Sequence, residues 1–120
     1  MLLVVDHDPE FLERVQRLAP TSRGVFFARN AEHARDLMRY VGADFTLVMI
    51  DLDLSGRDGF SLIREMHQKF PELPVIATSG APQDDWLQSA RDLGAADALR
   101  KPITRAWRDA IPVIRAAANG

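Results

Sequence analysis

The chain contains no cysteine, which removes a disulfide scaffold, a cysteine-ligated zinc site and a thiol nucleophile together. An excess of one charge is also missing. The 15 Lys and Arg against 17 Asp and Glu leave a net −2, so no basic surplus exists for phosphate backbones and no direct nucleic-acid partner is expected. Long apolar runs are absent too. Met1-Leu2-Leu3-Val4-Val5 lacks a basic flank and meets Asp6 at once, so it is neither a signal peptide nor a membrane span and reads as a strand. A cytoplasmic location without membrane attachment follows as the expectation. With 47% hydrophobic residues disorder is disfavoured, and 120 residues suffice for one core without a staple.

What is present is an alternation of short apolar runs with stretches of helical spacing, the pattern of a parallel sheet. Leu2 to Val5, Val25 to Ala28, Phe45 to Ile50, Val75 to Thr78 and Ala98 to Leu99 are the strand candidates. The third is continuously apolar or Thr, as a central strand buried on both faces should be. Helical stripes are carried by Phe11, Val15 and Leu18, then by Ala31, Ala34, Met38 and Val41. Phe60, Ile63, Met66 and His67 mark a third helix that Pro71 must end; Leu87, Ala90 and Leu93 mark a fourth, closed by Gly94. Trp107, Ile111 and Ile114 mark a fifth, which Pro112 should kink or break. The expectation is one α/β domain over residues 1–120, a doubly wound five-stranded parallel sheet with five helices. Its ligand site should lie beyond the carboxyl ends of the strands.

At those ends stand Asp6, His7 and Asp8, then Asp51 and Asp53, then Ser79 and Gly80, then Lys101-Pro102. Carboxylates converging at one sheet edge repel one another unless a cation neutralises them. Mg²⁺ suits oxygen ligands and leaves places for phosphate oxygens, so carboxylates with a lysine point to phosphoryl chemistry. Asp8 precedes Pro9 and an amphipathic helix, and reads as an N-cap with Pro at the first helical position. His33 and His67 have no partners at ligand spacing and read as surface or core-edge residues. Asp84 and Asp85 suit a helix start, and Trp86, one place off its helix's apolar stripe, reads as an exposed interaction anchor.

Four motifs occur in order: Val4-Val5-Asp6-His7-Asp8-Pro9, Val48-Met49-Ile50-Asp51 with Gly56-Arg57-Asp58-Gly59, Pro74 through Gly80, and Gly94 through Pro102. Through them the whole chain resembles the CheY-like receiver domain of two-component response regulators. The resemblance implies the flavodoxin/CheY-like strand order 2-1-3-4-5 and a role in two-component phosphorelay. It implies that a histidine kinase or histidine phosphotransfer protein passes a phosphoryl group to Asp51 with Mg²⁺ required. Phosphorylation would then remodel the surface of helix four, strand five and helix five towards a downstream protein or fused output domain. Asp6 and Asp51 would hold the metal with the Asp53 backbone carbonyl, while Ser79, Gly80 and Lys101 would contact the phosphoryl group. The Lys101-Pro102 bond is often cis in the family.

Three positions depart from the family pattern. His7 replaces the second acid of the usual pair as a metal ligand and predicts weaker Mg²⁺ binding. Ala98 stands where Tyr or Phe is usual, so switching should run through helix four and Trp86 rather than through a swinging ring. Ser55 replaces a loop proline. Two rival readings stay open at this point. A pseudo-receiver would signal without phosphorylation. A phosphohydrolase of the haloacid dehalogenase type would share Ile50-Asp51-Leu52-Asp53, Ser79 and Lys101, yet it needs an acidic pair after the lysine where only Asp109 occurs. The receiver reading makes the chain a phosphoacceptor rather than an enzyme, either stand-alone or part of a longer regulator, and compatible with a homodimer.

Overall fold

Five strands alternate with helices along the chain: β1 Leu2–Val5, β2 Val25–Ala28, β3 Leu47–Asp51, β4 Val75–Ser79 and β5 Asp97–Arg100. The helices between them are α1 Pro9–Leu18, α2 Ala31–Val41, α3 Asp58–Lys69 and α4 Asp84–Asp92, with a 3-10 turn at Gly42–Asp44. The computed structural model describes residues 1–18, 24–54, 58–80, 84–102 and 104. The expected fifth helix with Trp107, Pro112, Ile111 and Ile114, and the variant loop residue Ser55, lie outside them.

All pairings are parallel and the sheet order is β2-β1-β3-β4-β5. The chain therefore runs outward from β1 to β2 and crosses back to β3 on the other side of β1. That reversal opens a crevice between the carboxyl ends of β1 and β3. Register fixes what stands there. Val5 pairs with Ile50, so Asp6 and Asp51 are the next residues along neighbouring strands, while Asp51 itself pairs with Thr78.

Every residue of β1, β3 and β4 is buried, because helices cover both sheet faces. Leu3, Val5, Val48, Ile50, Val75 and Ala77 face the side packed by Ala31, Ala34 and Met38 of α2, Leu62, Ile63 and Met66 of α3, and Ala90 of α4. Leu2, Val4, Leu47, Met49 and Ile76 meet Phe11, Leu12 and Val15 of α1 on the opposite face. Truncating a side chain such as Ile50 or Leu62 to Ala would cost about 2–5 kcal/mol.

Local signals explain the helix ends. Asp8 Oδ1 accepts the Glu10 N–H at 3.0 Å and its carbonyl accepts the Leu12 N–H, which is the N-cap arrangement with Pro9 first in the helix. Asn30 does the same for α2 through the His33 N–H at 2.7 Å. Gly94 takes φ +117° after α4, and a Cβ there would run into the His67 ring, so this glycine answers both a left-handed backbone and close packing against α3.

Two expectations need correction. Trp86 is half-buried and meets the Phe60 ring edge-on at 5.6 Å between centroids, so it ties α4 to α3 rather than standing free as an anchor. Strand β3 begins at Leu47, not Phe45, since the Thr46 N–H is turned to the Met1 carbonyl at 2.9 Å.

Candidate functional site

Asp6 leaves β1 with its side chain fully buried. Its Oδ1 accepts the Asp8 N–H at 2.9 Å, so the residue that caps α1 also fixes Asp6. Its Oδ2 lies 2.7 Å from Lys101 Nζ. Lys101 stands just beyond β5, beside Pro102 across a cis peptide bond, and its ammonium lies over the Phe11 ring at 4.4 Å. The same Nζ is 3.6 Å from Asp51 Oδ1. Asp6 is thus the nearer of the two carboxylate partners of Lys101.

Asp51 ends the central strand, also fully buried. Its Oδ1 accepts the Asp53 N–H at 2.9 Å, while its Oδ2 makes no hydrogen bond. Burial away from water, then the Asp6 charge, pushes the Asp51 carboxyl up from 3.8 to about 6, although the Asp53 N–H and Lys101 oppose the rise. At neutral pH the group is still mostly ionised.

His7 is 60% exposed, and its Nδ1 lies 3.2 Å from Asp51 Oδ2 and 3.8 Å from Asp6 Oδ1. One ligand atom each from Asp6, His7 and Asp51 fall within 4.8 Å of one another. Two buried carboxylates, an Asp51 oxygen without a hydrogen bond and an imidazole nitrogen at that spacing fit a divalent cation.

The other side of the site is built by β4. Ser79 Oγ donates to Asp53 Oδ1 at 3.3 Å and Gly80 N–H to Asp53 Oδ2 at 2.9 Å. The loop after β3 therefore folds its second carboxylate back across the end of β4, a pairing that spacing along the chain does not reveal. Thr78, the neighbouring hydroxyl residue, is buried next to Asp51 in the sheet. A Cβ at Gly80 would meet only Asp53 Oδ2 at 3.8 Å and Lys101 Cδ at 3.9 Å, so the protein's own packing does not demand glycine there. Gly59 is the residue the sequence left inside a motif without a role. A Cβ on it would strike the Asp51 carbonyl oxygen and come 3.0 Å from Leu52 Cα, so its bareness lets α3 press against the strand end that holds Asp51. The signal was a glycine in the first turn of a helix, costly unless something needs the space. Ala98 is buried in the core beneath α4, and His33 and His67 are exposed as expected.

Comparison with known proteins bears directly on this arrangement. Residues 2–108 match the family model described as the response regulator receiver domain. The chain belongs to the response regulator receiver family. The receiver is 31% identical over 107 residues to the two-component response regulator ARR22 of Arabidopsis thaliana, covering 88% of this chain and 75% of that protein. It is 32% identical to the transcriptional regulatory protein AruR of Pseudomonas aeruginosa over 85% of this chain, which spans 43% of that longer protein. NtrX from Brucella abortus superposes with a TM-score of 0.86 at 25% identity over 98% of this receiver and 27% of the NtrX chain. Membership makes the chain a two-component signalling module and decides against the dehalogenase-type reading. Receivers bind Mg²⁺ through acidic residues, and their proteins work with histidine kinases and fused output domains. No helix among the described residues is long and apolar enough to cross a membrane.

Proposed function

We propose that this receiver takes a phosphoryl group onto Asp51 from a phosphohistidine of a histidine kinase or phosphotransfer protein. One observation carries the reading: a fully buried carboxylate at the end of the central strand keeps an oxygen without a hydrogen bond, next to a lysine and across from a hydroxyl. An Asp51 oxygen attacks phosphorus in line, the new P–O bond forming as the donor's P–N bond breaks and its electron pair returns to the imidazole. Lys101 places a cation within reach of the charge that gathers on Asp51 and the phosphoryl oxygens. Ser79 Oγ and Gly80 N–H supply hydrogen-bond donors on the β4 side, once Asp53 yields them.

Asp6, His7 and Asp51, with the Asp53 backbone carbonyl, would hold a divalent ion such as Mg²⁺. Bound there, such an ion would neutralise the paired carboxylates and draw charge from the phosphoryl oxygens. The chemistry proposed is limited to the receiver's own phosphorylation and dephosphorylation. Transmission would pass from Ser79 into α4, whose Trp86 bears on Phe60 of α3, because Ala98 offers no ring to reorient.

Treatment with acetyl phosphate and Mg²⁺ followed by intact-mass measurement tests the reading. Wild type is expected to gain one phosphoryl group and Asp51→Asn none. Labelling of Asp51→Asn at the wild-type rate would refute it, and a wild type that never gains mass would favour a receiver that signals without phosphorylation.

A further inference from the structure

We infer that the Asp6, His7 and Asp51 cluster selects a later first-row transition ion of the Co²⁺, Ni²⁺ and Zn²⁺ class over Mg²⁺. This rests on the reading above that the cluster holds a divalent cation, and it names which one.

The geometry supplies the argument. His7 Nδ1 is 3.2 Å from Asp51 Oδ2, yet that oxygen accepts no hydrogen bond. The two atoms are close without being aimed as donor and acceptor. Asp6 Oδ1 lies 3.8 Å from the same nitrogen, and one ligand atom from each of the three side chains falls within 4.8 Å of the others. Ligands about 2.1 Å from a tetrahedral ion stand roughly 3.4 Å apart, between the two separations from Nδ1. His7 is 60% exposed, so Nε2 can keep its proton and face water while Nδ1 serves as ligand. Both carboxylates, in contrast, are fully buried.

Chemistry decides the metal. Mg²⁺ wants oxygen donors in a strict octahedron and gains little from a neutral nitrogen, whereas imidazole suits Co²⁺, Ni²⁺ and Zn²⁺. An acid at residue 7 would supply a third anionic oxygen; histidine removes that charge and adds a softer ligand. The preference should therefore rest on one side chain. Asp6, Asp51 and the fold around them would remain as they are.

The test is calorimetric titration of the untagged receiver with Co²⁺ and separately with Mg²⁺, repeated on His7→Asp and on Asp51→Asn. In wild type the Co²⁺ to Mg²⁺ affinity ratio is expected to exceed that of His7→Asp by about tenfold or more, with Mg²⁺ binding tightened by the substitution. Asp51→Asn should weaken both ions, which places them at this site rather than at His33 or His67. Addition of Zn²⁺ should shift the His7 ring-proton resonances and leave those of His33 and His67 in place. A ratio within about twofold between wild type and His7→Asp, or a His7 ring that Zn²⁺ does not move while Mg²⁺ still binds, would overturn the inference and leave the phosphoacceptor reading intact. Absence of divalent binding in both proteins would instead remove the cation site itself. Should His7→Asp fail to fold, His7→Asn provides the same loss of imidazole, with Co²⁺ affinity expected to fall by a similar factor.

Discussion

The two halves of the crevice are built from opposite materials. On the β1 and β3 side, Asp6 and Asp51 are fully buried, and Lys101 is the cation set between them. Across the site, at the end of β4, stand a hydroxyl and a backbone N–H, both donating to Asp53. One half holds more negative charge than it neutralises, which suits a cation. The other holds hydrogen-bond donors already satisfied by a carboxylate, which suits an incoming anion only after that carboxylate moves. A site assembled this way is strained electrostatically on one side and self-occupied on the other, and each side can be perturbed separately.

The largest effect should come from Gly59, the residue that lets α3 press against the end of β3. Gly59→Ala improves intrinsic helix propensity by about 1 kcal/mol. Its methyl, however, meets the Asp51 carbonyl and Leu52 backbone, neither of which can step aside cheaply. A net loss of about 2–4 kcal/mol in urea denaturation is expected. A stability equal to wild type would mean that α3 does not press on β3 as described.

The acidic half is isolated by pH. In the folded protein Asp51 titrates near 6, above its ordinary 3.8, because burial and Asp6 disfavour its charge. Between those values the native state holds a proton that the unfolded chain has released. The contribution of this group is therefore full below pH about 4 and is lost as pH rises through about 6. Without divalent ions, Asp51→Asn should gain about 2 kcal/mol on wild type between pH 4 and pH 7. Denaturant melts of both proteins across that range measure the difference, and a difference that is flat with pH would contradict the electrostatic description.

The donor half gives a smaller effect. Asp53→Ala removes the carboxylate that accepts from Ser79 Oγ and Gly80 N–H while keeping the backbone carbonyl at residue 53. Removing a competing carboxylate from the place of the incoming anion should speed phosphoryl uptake from acetyl phosphate by roughly tenfold, the scale of one charge-assisted hydrogen bond. Slower uptake would show that Asp53 aids the transfer rather than competing with it.

Much of this is legible in the sequence. The bounds of β1 and β2 agree with the apolar runs because each run ends in a polar or turn residue. Strand β5 was underestimated since Asp97 and Arg100 are charged yet pair with Ile76 and Ser79 along the sheet. Asp6, Asp51, Ser79 and Lys101 were legible because a doubly wound sheet brings strand ends together whatever the details. The Asp53 contact with Ser79 and Gly80 was not, since it depends on how the loop after β3 folds over a strand distant in sequence. Nor was the preference of Lys101 for Asp6, which turns on less than an ångström of sheet geometry. Trp86 misled for a simpler reason: a position off the helical stripe can still be covered when the neighbouring helix offers an aromatic partner, here Phe60.

Reduction of the phosphorylated receiver with borohydride, followed by peptide mapping, tests the phosphoacceptor most directly. An acyl phosphate on a side-chain carboxylate is cleaved by hydride to an alcohol, so the peptide spanning Leu47–Asp51 should carry homoserine in place of Asp51 with every other acid unchanged. Homoserine at Asp6, Asp8 or Asp53, or a phosphoryl group that resists borohydride, would contradict the assignment.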